Sequence, residues 1–90
     1  MTKREKLREI FQRLKDGEIL HVITEKGQTY QGLSFSMDES WLRCQHYGFW
    51  AHKATMQNLQ YELDSTGSYE VESDTDFEKR TGNKFLHWGL

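Results

Sequence analysis

The sequence predicts a mainly β protein with an N-terminal α-helix, in which five short antiparallel strands form a bent barrel. Apolar residues near the N-terminus recur at helical spacing, after which the pattern changes to alternation. Glycine, Asp and Ser then interrupt the alternation at short intervals. Short strands joined by tight turns are typical of small barrels. A C-terminal hairpin and a short helix are predicted to follow the fifth strand.

The predicted helix has one apolar stripe at positions i, i+3, i+4 and i+7. The stripe consists of Leu7, Ile10, Phe11 and Leu14. Thr2 and Glu5 have the spacing of a capping box, in which each side chain binds the other residue's free amide. Gly17 can adopt the left-handed conformation that ends a helix. We therefore expect a helix that packs by one side and ends before Gly17.

Five segments are predicted as strands because their apolar and polar residues alternate loosely. They are GEILHVITEKG (17–27), TYQGLSFSM (29–37), WLRCQHY (41–47), FWAHKATM (49–56) and QNLQYEL (57–63). Gly27 is expected in a hairpin turn, and Gly32 at a bend inside the second strand. YELDSTGSYEVE is then predicted as a hairpin. SDTDFEKRTGNKF is predicted to form one short helix that Ser73 or Asp74 caps and Gly82 ends.

The spacing of Gly27, Gly32 and Asp38 resembles the first motif of the Sm-like family, most closely its bacterial RNA-chaperone (Hfq) branch. In that motif a turn glycine is followed by a second glycine five residues later and an aspartate six after that. Trp41 takes the large apolar place three residues after the aspartate. The resemblance covers about residues 5 to 63. It implies a five-stranded Sm-like, SH3-like barrel with Gly27, Gly32 and Asp38 as structural residues.

The resemblance also implies RNA as a partner and a homo-oligomeric ring, in which the fourth strand of one copy pairs with the fifth of the next. At the second family motif, His52, Lys53 and Ala54 stand where the bacterial branch has Tyr-Lys-His. The family's base-reading asparagine is replaced by Leu42 and its stacking residue by Ser40. A leucine cannot bind a base edge and a serine cannot stack on one. RNA contact is therefore expected through phosphates.

Charge is unevenly distributed, although the net charge is only −2. Residues 1–16 carry six bases and three acids, whereas residues 60–90 carry seven acids and three bases. Two interpretations are open: two solvated surfaces of opposite sign, or a basic helix that meets a polyanion. The residues hypothesised to contact nucleic acid are Lys3, Arg4, Arg8, His52 and Lys53.

The aromatic residues around Gly48 have two interpretations. Tyr47, Phe49 and Trp50 lie near His52 and Lys53, and exposed rings there would stack on bases. Alternatively, some of these rings fill the core, because a small barrel needs large side chains inside it.

No catalytic residue, metal site or cofactor is predicted. Cys44 and His46 share one face of a strand, and His52 lies across the turn, but a zinc site usually has a fourth ligand and tighter spacing. The single cysteine excludes an intrachain disulfide. There is no signal-peptide or membrane-spanning run of apolar residues, so the protein is expected in the cytoplasm and away from membranes.

The chain is divided into residues 1–63, the helix and Sm-like barrel, and residues 64–90, an extension that packs on the same domain. Two functions follow. The first is a small non-enzymatic module that binds RNA weakly through the basic helix and phosphate contacts. The alternative is a protein-interaction or assembly module without RNA binding, which the lost base-reading positions and the apolar tail (Phe85, Leu86, Trp88) favour. An extra hairpin could cover the edge that a ring would use.

Overall fold

The structure is a computed structural model that describes residues 2–24, 26–27, 29–45 and 49–82. For residues 29 and 30 only the backbone is considered. The described residues form three helices and one five-stranded antiparallel sheet. The elements in chain order are α1 (Lys3–Lys15), β1 (Leu20–Ile23), β2 (Thr29–Phe35), β3 (Trp41–Gln45), β4 (Phe49–Lys53), α2 (Met56–Thr66), β5 (Val71–Ser73) and α3 (Asp74–Thr81).

The strand order in the sheet is β4-β3-β2-β1-β5, so β4 and β5 are its two edges. Residues that lie opposite each other in antiparallel strands have their side chains on the same face. Leu33 in β2 lies opposite Leu20 in β1 and opposite Cys44 in β3, and all three are buried. We call the face that carries these residues the inner face, and the opposite one the outer face.

Helices α1 and α2 cover the inner face. Leu7, Ile10 and Leu14 of α1 join Leu59 and Leu63 of α2 in one buried cluster with the inner-face residues of β1, β2 and β3. Both helices begin at a threonine whose hydroxyl accepts an amide hydrogen bond, as is typical of helix N-termini. The core of the protein is therefore the layer between this helix pair and the sheet.

Helix α3 packs on the other side, against β1 and β5. The His21 ring is completely buried and stacks on Phe77 of α3, with 4.3 Å between the ring centroids. His21 Nε2 lies 2.9 Å from Asp74 Oδ1 at the start of α3. Arg80 donates to the Glu72 carboxylate, and its Nη1 donates to the Gly27 carbonyl at 3.1 Å. These contacts fix α3 on the outer face of the β1–β5 edge.

Several sequence predictions are confirmed. Residues Thr2 and Glu5 form the expected capping box, and Gly17 has a φ of 91° just after α1. The first four strands lie inside the predicted segments, and α3 begins after the Ser73 cap and ends at Gly82, as predicted.

The mainly β class and the closed barrel are not confirmed. The fold is mixed α/β, and the sheet is not closed into a barrel. A barrel buries the inner side of its sheet against itself, whereas here two helices bury that side.

The predicted fifth strand at residues 57–63 is wrong, because these residues lie in α2. The predicted hairpin over residues 61–72 is wrong for the same reason. Its intended turn residue Gly67 instead ends α2 in the left-handed conformation, with φ 74°. The fifth strand is β5, which pairs with β1 through the partners Leu20 and Ser73. The predicted docking of the apolar tail lies outside the described residues.

Candidate functional site

The residues hypothesised to contact nucleic acid lie on two sides of the sheet. Lys3, Arg4 and Arg8 are exposed on α1, which packs on the inner face. Lys53 lies opposite Trp41 in the β3–β4 register, on the outer face, and is exposed. His52 precedes Lys53 in β4, so its side chain points to the inner face. The three helix bases therefore lie on one side of the sheet and Lys53 on the other.

Other charges on α1 reduce its basic character. Lys6 pairs with Glu70, and Arg13 makes two hydrogen bonds to Glu18, at 3.0 and 2.9 Å. The Lys3 ammonium lies 5.4 Å from the centroid of the Tyr69 ring. The exposed bases of α1 are therefore interleaved with paired charges.

The three residues of the Sm-like motif, Gly27, Gly32 and Asp38, all have structural roles in turns or in strand β2. Gly27 occupies a turn with φ 74°, and its N–H donates to the Thr24 carbonyl at 2.8 Å. Gly32 lies in the middle of β2, opposite His21 and Gln45. The irregularity in the β1–β2 register lies beside it, between Val22 and Ile23.

Asp38 organises the turn between β2 and β3. Its Oδ1 accepts hydrogen bonds from the Ser36 hydroxyl at 2.7 Å and from the Ser40 N–H at 3.0 Å. The hydrogen bond from Ser36, followed by that from Ser40, holds the pKa of Asp38 below its ordinary value. Asp38 Oδ1 therefore stabilises the turn between β2 and β3.

The outer face of β3 and β4 presents exposed aromatic and basic side chains. Trp41 is 48% exposed and Phe49 is 52% exposed. Arg43 lies between them along the strand, and its guanidinium carbon is 6.0 Å from the centroid of the Phe49 ring. Lys53 stands beside Trp41. We call Trp41, Arg43, Phe49 and Lys53 the aromatic-basic face.

The sign of the charge on this part of the sheet is uniform. The strands β2, β3 and β4 contain the bases Arg43 and Lys53 and no Asp or Glu. An anion that approaches the aromatic-basic face therefore meets no repelling carboxylate from these three strands. Proteins that bind single-stranded nucleic acids present aromatic rings beside cationic side chains, because the bases stack on the rings and the phosphates pair with the cations.

A second group of reactive side chains lies on the inner face, where β3, β4 and α2 meet. One candidate ligand atom each from Cys44, His52 and Glu62 lies within 4.8 Å of the other two. Cys44 is completely buried and Glu62 is 6% exposed, while the His52 side chain is one-third exposed. We call these three residues the inner cluster. Its donor atoms are the types that bind transition metals.

The thiol of the inner cluster is a poor nucleophile in this state. Burial, and then the nearby charge of Glu62, raise the pKa of Cys44 to about 12. The reactive form of cysteine is the thiolate, so the Cys44 thiol is protonated and unreactive near neutral pH. The arrangement does not favour covalent catalysis by Cys44.

Glu62 is not among the predicted site residues, because the alternating pattern predicts a strand over residues 57–63. A signal was present: Leu59, Glu62 and Leu63 have the i, i+3, i+4 spacing of one helical face. That face packs on the sheet and carries the Glu62 carboxylate to Cys44 and His52. His46 and Tyr47, which the sequence analysis also considered, lie outside the described residues.

Comparison of the chain with models of known protein families, with curated proteins and with solved structures found no match. The Sm-like resemblance therefore stays a prediction. Among the described residues, none of the helices combines the length and apolar character needed to cross a bilayer.

Proposed function

We propose that the protein is a small non-enzymatic module that binds single-stranded RNA weakly through the aromatic-basic face. The observation that carries this proposal is the position of Trp41 and Phe49, two exposed rings on neighbouring strands with Arg43 between them. The two rings lie about 13 Å apart along the strands. A single strand that runs across this face can stack bases on the rings and place phosphates near Arg43 and Lys53.

The expected binding is weak and has little preference for base. Stacking accepts any base and contributes about 1–3 kcal/mol for each base. Two cations neutralise about two phosphates, so the affinity should fall with salt with a log–log slope of about −1.4. RNA rather than DNA is proposed because the motif spacing of Gly27, Gly32 and Asp38 resembles the Sm-like family. RNA remains the partner to test first.

The aromatic-basic face is tested by Trp41→Ala, with Tyr61→Ala as the matched control. Tyr61 is 66% exposed on α2, away from the outer face. Binding of labelled oligouridine and oligoadenine is measured by fluorescence anisotropy at low salt. We expect Trp41→Ala to weaken binding by about 5- to 150-fold, which is the loss of one stacked base, and Tyr61→Ala to leave it unchanged.

A charge comparison separates the sheet from the basic helix. Lys53→Glu should reduce affinity and make the salt dependence shallower by about 0.7 log units. The double variant Arg4→Glu, Arg8→Glu should keep the slope of the parent protein. The opposite result would place the phosphates on α1, which is the helical part of the sequence hypothesis. Absence of binding at low salt, or tight uridine-selective binding at high salt, would refute the proposal.

A second candidate function is assembly of several copies through the sheet edges. The strands β4 and β5 are the two edges, and edge strands are ready templates for pairing with another chain. Because the two edges differ, pairing of β4 from one copy with β5 of the next is heterologous and can repeat until a ring closes. The order of strands supports this candidate. The pairing that the sequence resemblance implies is a different one, because its fifth strand, residues 57–63, is part of α2.

A further inference from the structure

The inner cluster is assembled by three different elements of the fold. Cys44 lies in β3 opposite Trp50, and His52 lies two residues further along β4. Cys44 and His52 are therefore diagonal neighbours on the inner face, where side chains of adjacent strands can meet. Glu62 approaches from α2, between the core residues Leu59 and Leu63. All three donors are held by regular structure, not by loops.

The contact between His52 and Glu62 has the distance of an ion pair with a protonated imidazole, but it is not a hydrogen bond. His52 Nε2 lies 2.7 Å from Glu62 Oε1, yet Nε2 is a buried atom with no hydrogen-bond partner in the described part of the chain. The two atoms are close, but their angles do not fit a hydrogen bond. An imidazole nitrogen and a carboxylate oxygen that converge in this way are both ligand types that can bind one transition-metal ion.

The surroundings of Glu62 hold its carboxylate in place. The Gln31 side-chain amide on β2 donates to Oε2 of Glu62, at 3.4 Å. The other oxygen, Oε1, is the atom that faces His52. In metal sites, a carboxylate that binds the ion is commonly oriented by a hydrogen bond from a neighbouring residue to its other oxygen.

We infer that the inner cluster is a zinc site, in which Cys44, His52 and Glu62 bind a single Zn²⁺ ion. A tetrahedral zinc with ordinary bond lengths separates its nitrogen, oxygen and sulfur ligands by roughly 3.3–3.6 Å. In the inner cluster, His52 Nε2 lies 2.7 Å from Glu62 Oε1, and no two of the three ligand atoms are more than 4.8 Å apart. The range expected for zinc lies between these two distances. Side-chain shifts of about 1 Å complete the geometry.

The donor set selects the ion. A thiolate is a soft ligand that favours zinc over the hard ions magnesium and calcium, and imidazole suits zinc as well. When zinc binds, the Cys44 proton leaves to solvent, and the thiolate and the Glu62 carboxylate together balance the two positive charges. Three protein ligands leave the fourth position for water. The inference is independent of RNA binding, because the aromatic-basic face lies on the other side of the sheet.

The first experiment adds Co²⁺, a spectroscopic substitute for Zn²⁺, to the 90-residue chain and follows the thiolate-to-cobalt absorption band. We expect saturation at one ion per chain and displacement of cobalt by zinc. Cys44→Ser, His52→Gln and Glu62→Gln should each weaken zinc binding by more than about 100-fold. Glu78→Gln, which changes an exposed acid on α3, is the matched control and should bind zinc like the parent protein.

The second experiment needs no variant and therefore holds even if a variant fails to fold. X-ray absorption of the zinc-loaded parent protein should show one sulfur neighbour at about 2.3 Å and lighter nitrogen or oxygen neighbours. Zinc bound without a sulfur neighbour would overturn the inference. So would zinc affinity that stays unchanged in Glu62→Gln and His52→Gln proteins that melt as folded chains, or no saturable binding by the parent.

Discussion

Leu14 and Phe11 are neighbours on the apolar stripe of α1 but differ in burial. Leu14 is 1% exposed, whereas Phe11 lies at the margin of the core and contacts Phe35 edge-to-face, with 5.2 Å between the ring centroids. We expect Leu14→Ala to lower the free energy of unfolding by about 3 kcal/mol, because it leaves a cavity. Phe11→Ala should cost less, about 2 kcal/mol, since part of the ring already contacts water.

Urea denaturation monitored by circular dichroism measures both changes. Arg8→Ala, on the exposed side of the same helix, is the control and should stay within about 0.5 kcal/mol of the parent protein. A larger loss for Phe11→Ala than for Leu14→Ala would show that the ring, and not the leucine, anchors α1.

Single residues were predicted well where their role is local. The Thr2 cap depends on Glu5 three positions away, and Gly17 ends the helix through its own backbone conformation. Glu62 is different, because its environment is made by β3 and β4, which are distant in sequence. No short pattern around Glu62 could place it beside Cys44. The inner cluster was therefore beyond prediction once α2 had been assigned as a strand.

At the scale of elements, the link between α1 and β1 is stabilised by an ion pair. Arg13 near the end of α1 binds both carboxylate oxygens of Glu18, and this hydrogen bonding lowers the pKa of Glu18 from its ordinary value of 4.5. A carboxyl group whose pKa is lower in the folded state stabilises the fold above its unfolded pKa. The stabilisation is lost as the pH falls through the folded pKa.

We therefore expect Glu18→Gln to be less stable than the parent protein at pH 7, and the gap to shrink below about pH 5. Both side chains are about one-third exposed, so solvent screening should limit the gap to less than ~1 kcal/mol. Denaturation across the pH range measures it, and a double-variant cycle with Arg13→Gln isolates the pair. A gap that widens in acid would contradict this account.

Helix α2 was wrongly predicted as a strand, because the spacing of its apolar residues fits both a strand and a helix. Leu59, Tyr61 and Leu63 alternate as in a strand, but Leu59 and Leu63 also have the i, i+4 spacing of a helix. Tyr61 is largely exposed, so the alternation has no structural counterpart. The Thr55 cap and Gly67 at the far end mark a helix in the sequence itself. The cap at Thr55 and the glycine at position 67 therefore favour a helix over a strand for this segment.

At the scale of the whole molecule, the sheet is open and has two edge strands, β4 and β5. The second candidate function predicts that the protein sediments as a discrete oligomer through pairing of β4 with β5. Proline in an edge strand removes a donor for such pairing. Trp50→Pro and Ala51→Pro form a matched pair, because adjacent residues in a strand direct their N–H groups alternately to opposite sides.

One of these two variants loses a hydrogen bond to β3 and should unfold. The other loses only a donor on the side of β4 that pairs with no other described strand. We expect the folded variant to be monomeric by sedimentation velocity while the parent protein keeps its higher mass. A parent protein that is monomeric at every concentration would remove the assembly candidate. The division of the chain into residues 1–63 and 64–90 stays a prediction, although β5 from the second part completes the sheet.

The pairing of β1 with both β2 and β5 has a consequence for the order of folding. A five-residue connection joins β1 to β2, whereas about 47 residues, Thr24 to Glu70, separate β1 from β5. Loop-closure entropy makes the second pairing about 2 kcal/mol more costly to initiate than the first. The β1–β5 ladder should therefore close late, after the consecutive strands have joined. Helix α3 follows β5 directly and covers the His21 ring, so burial of that imidazole should accompany this late step.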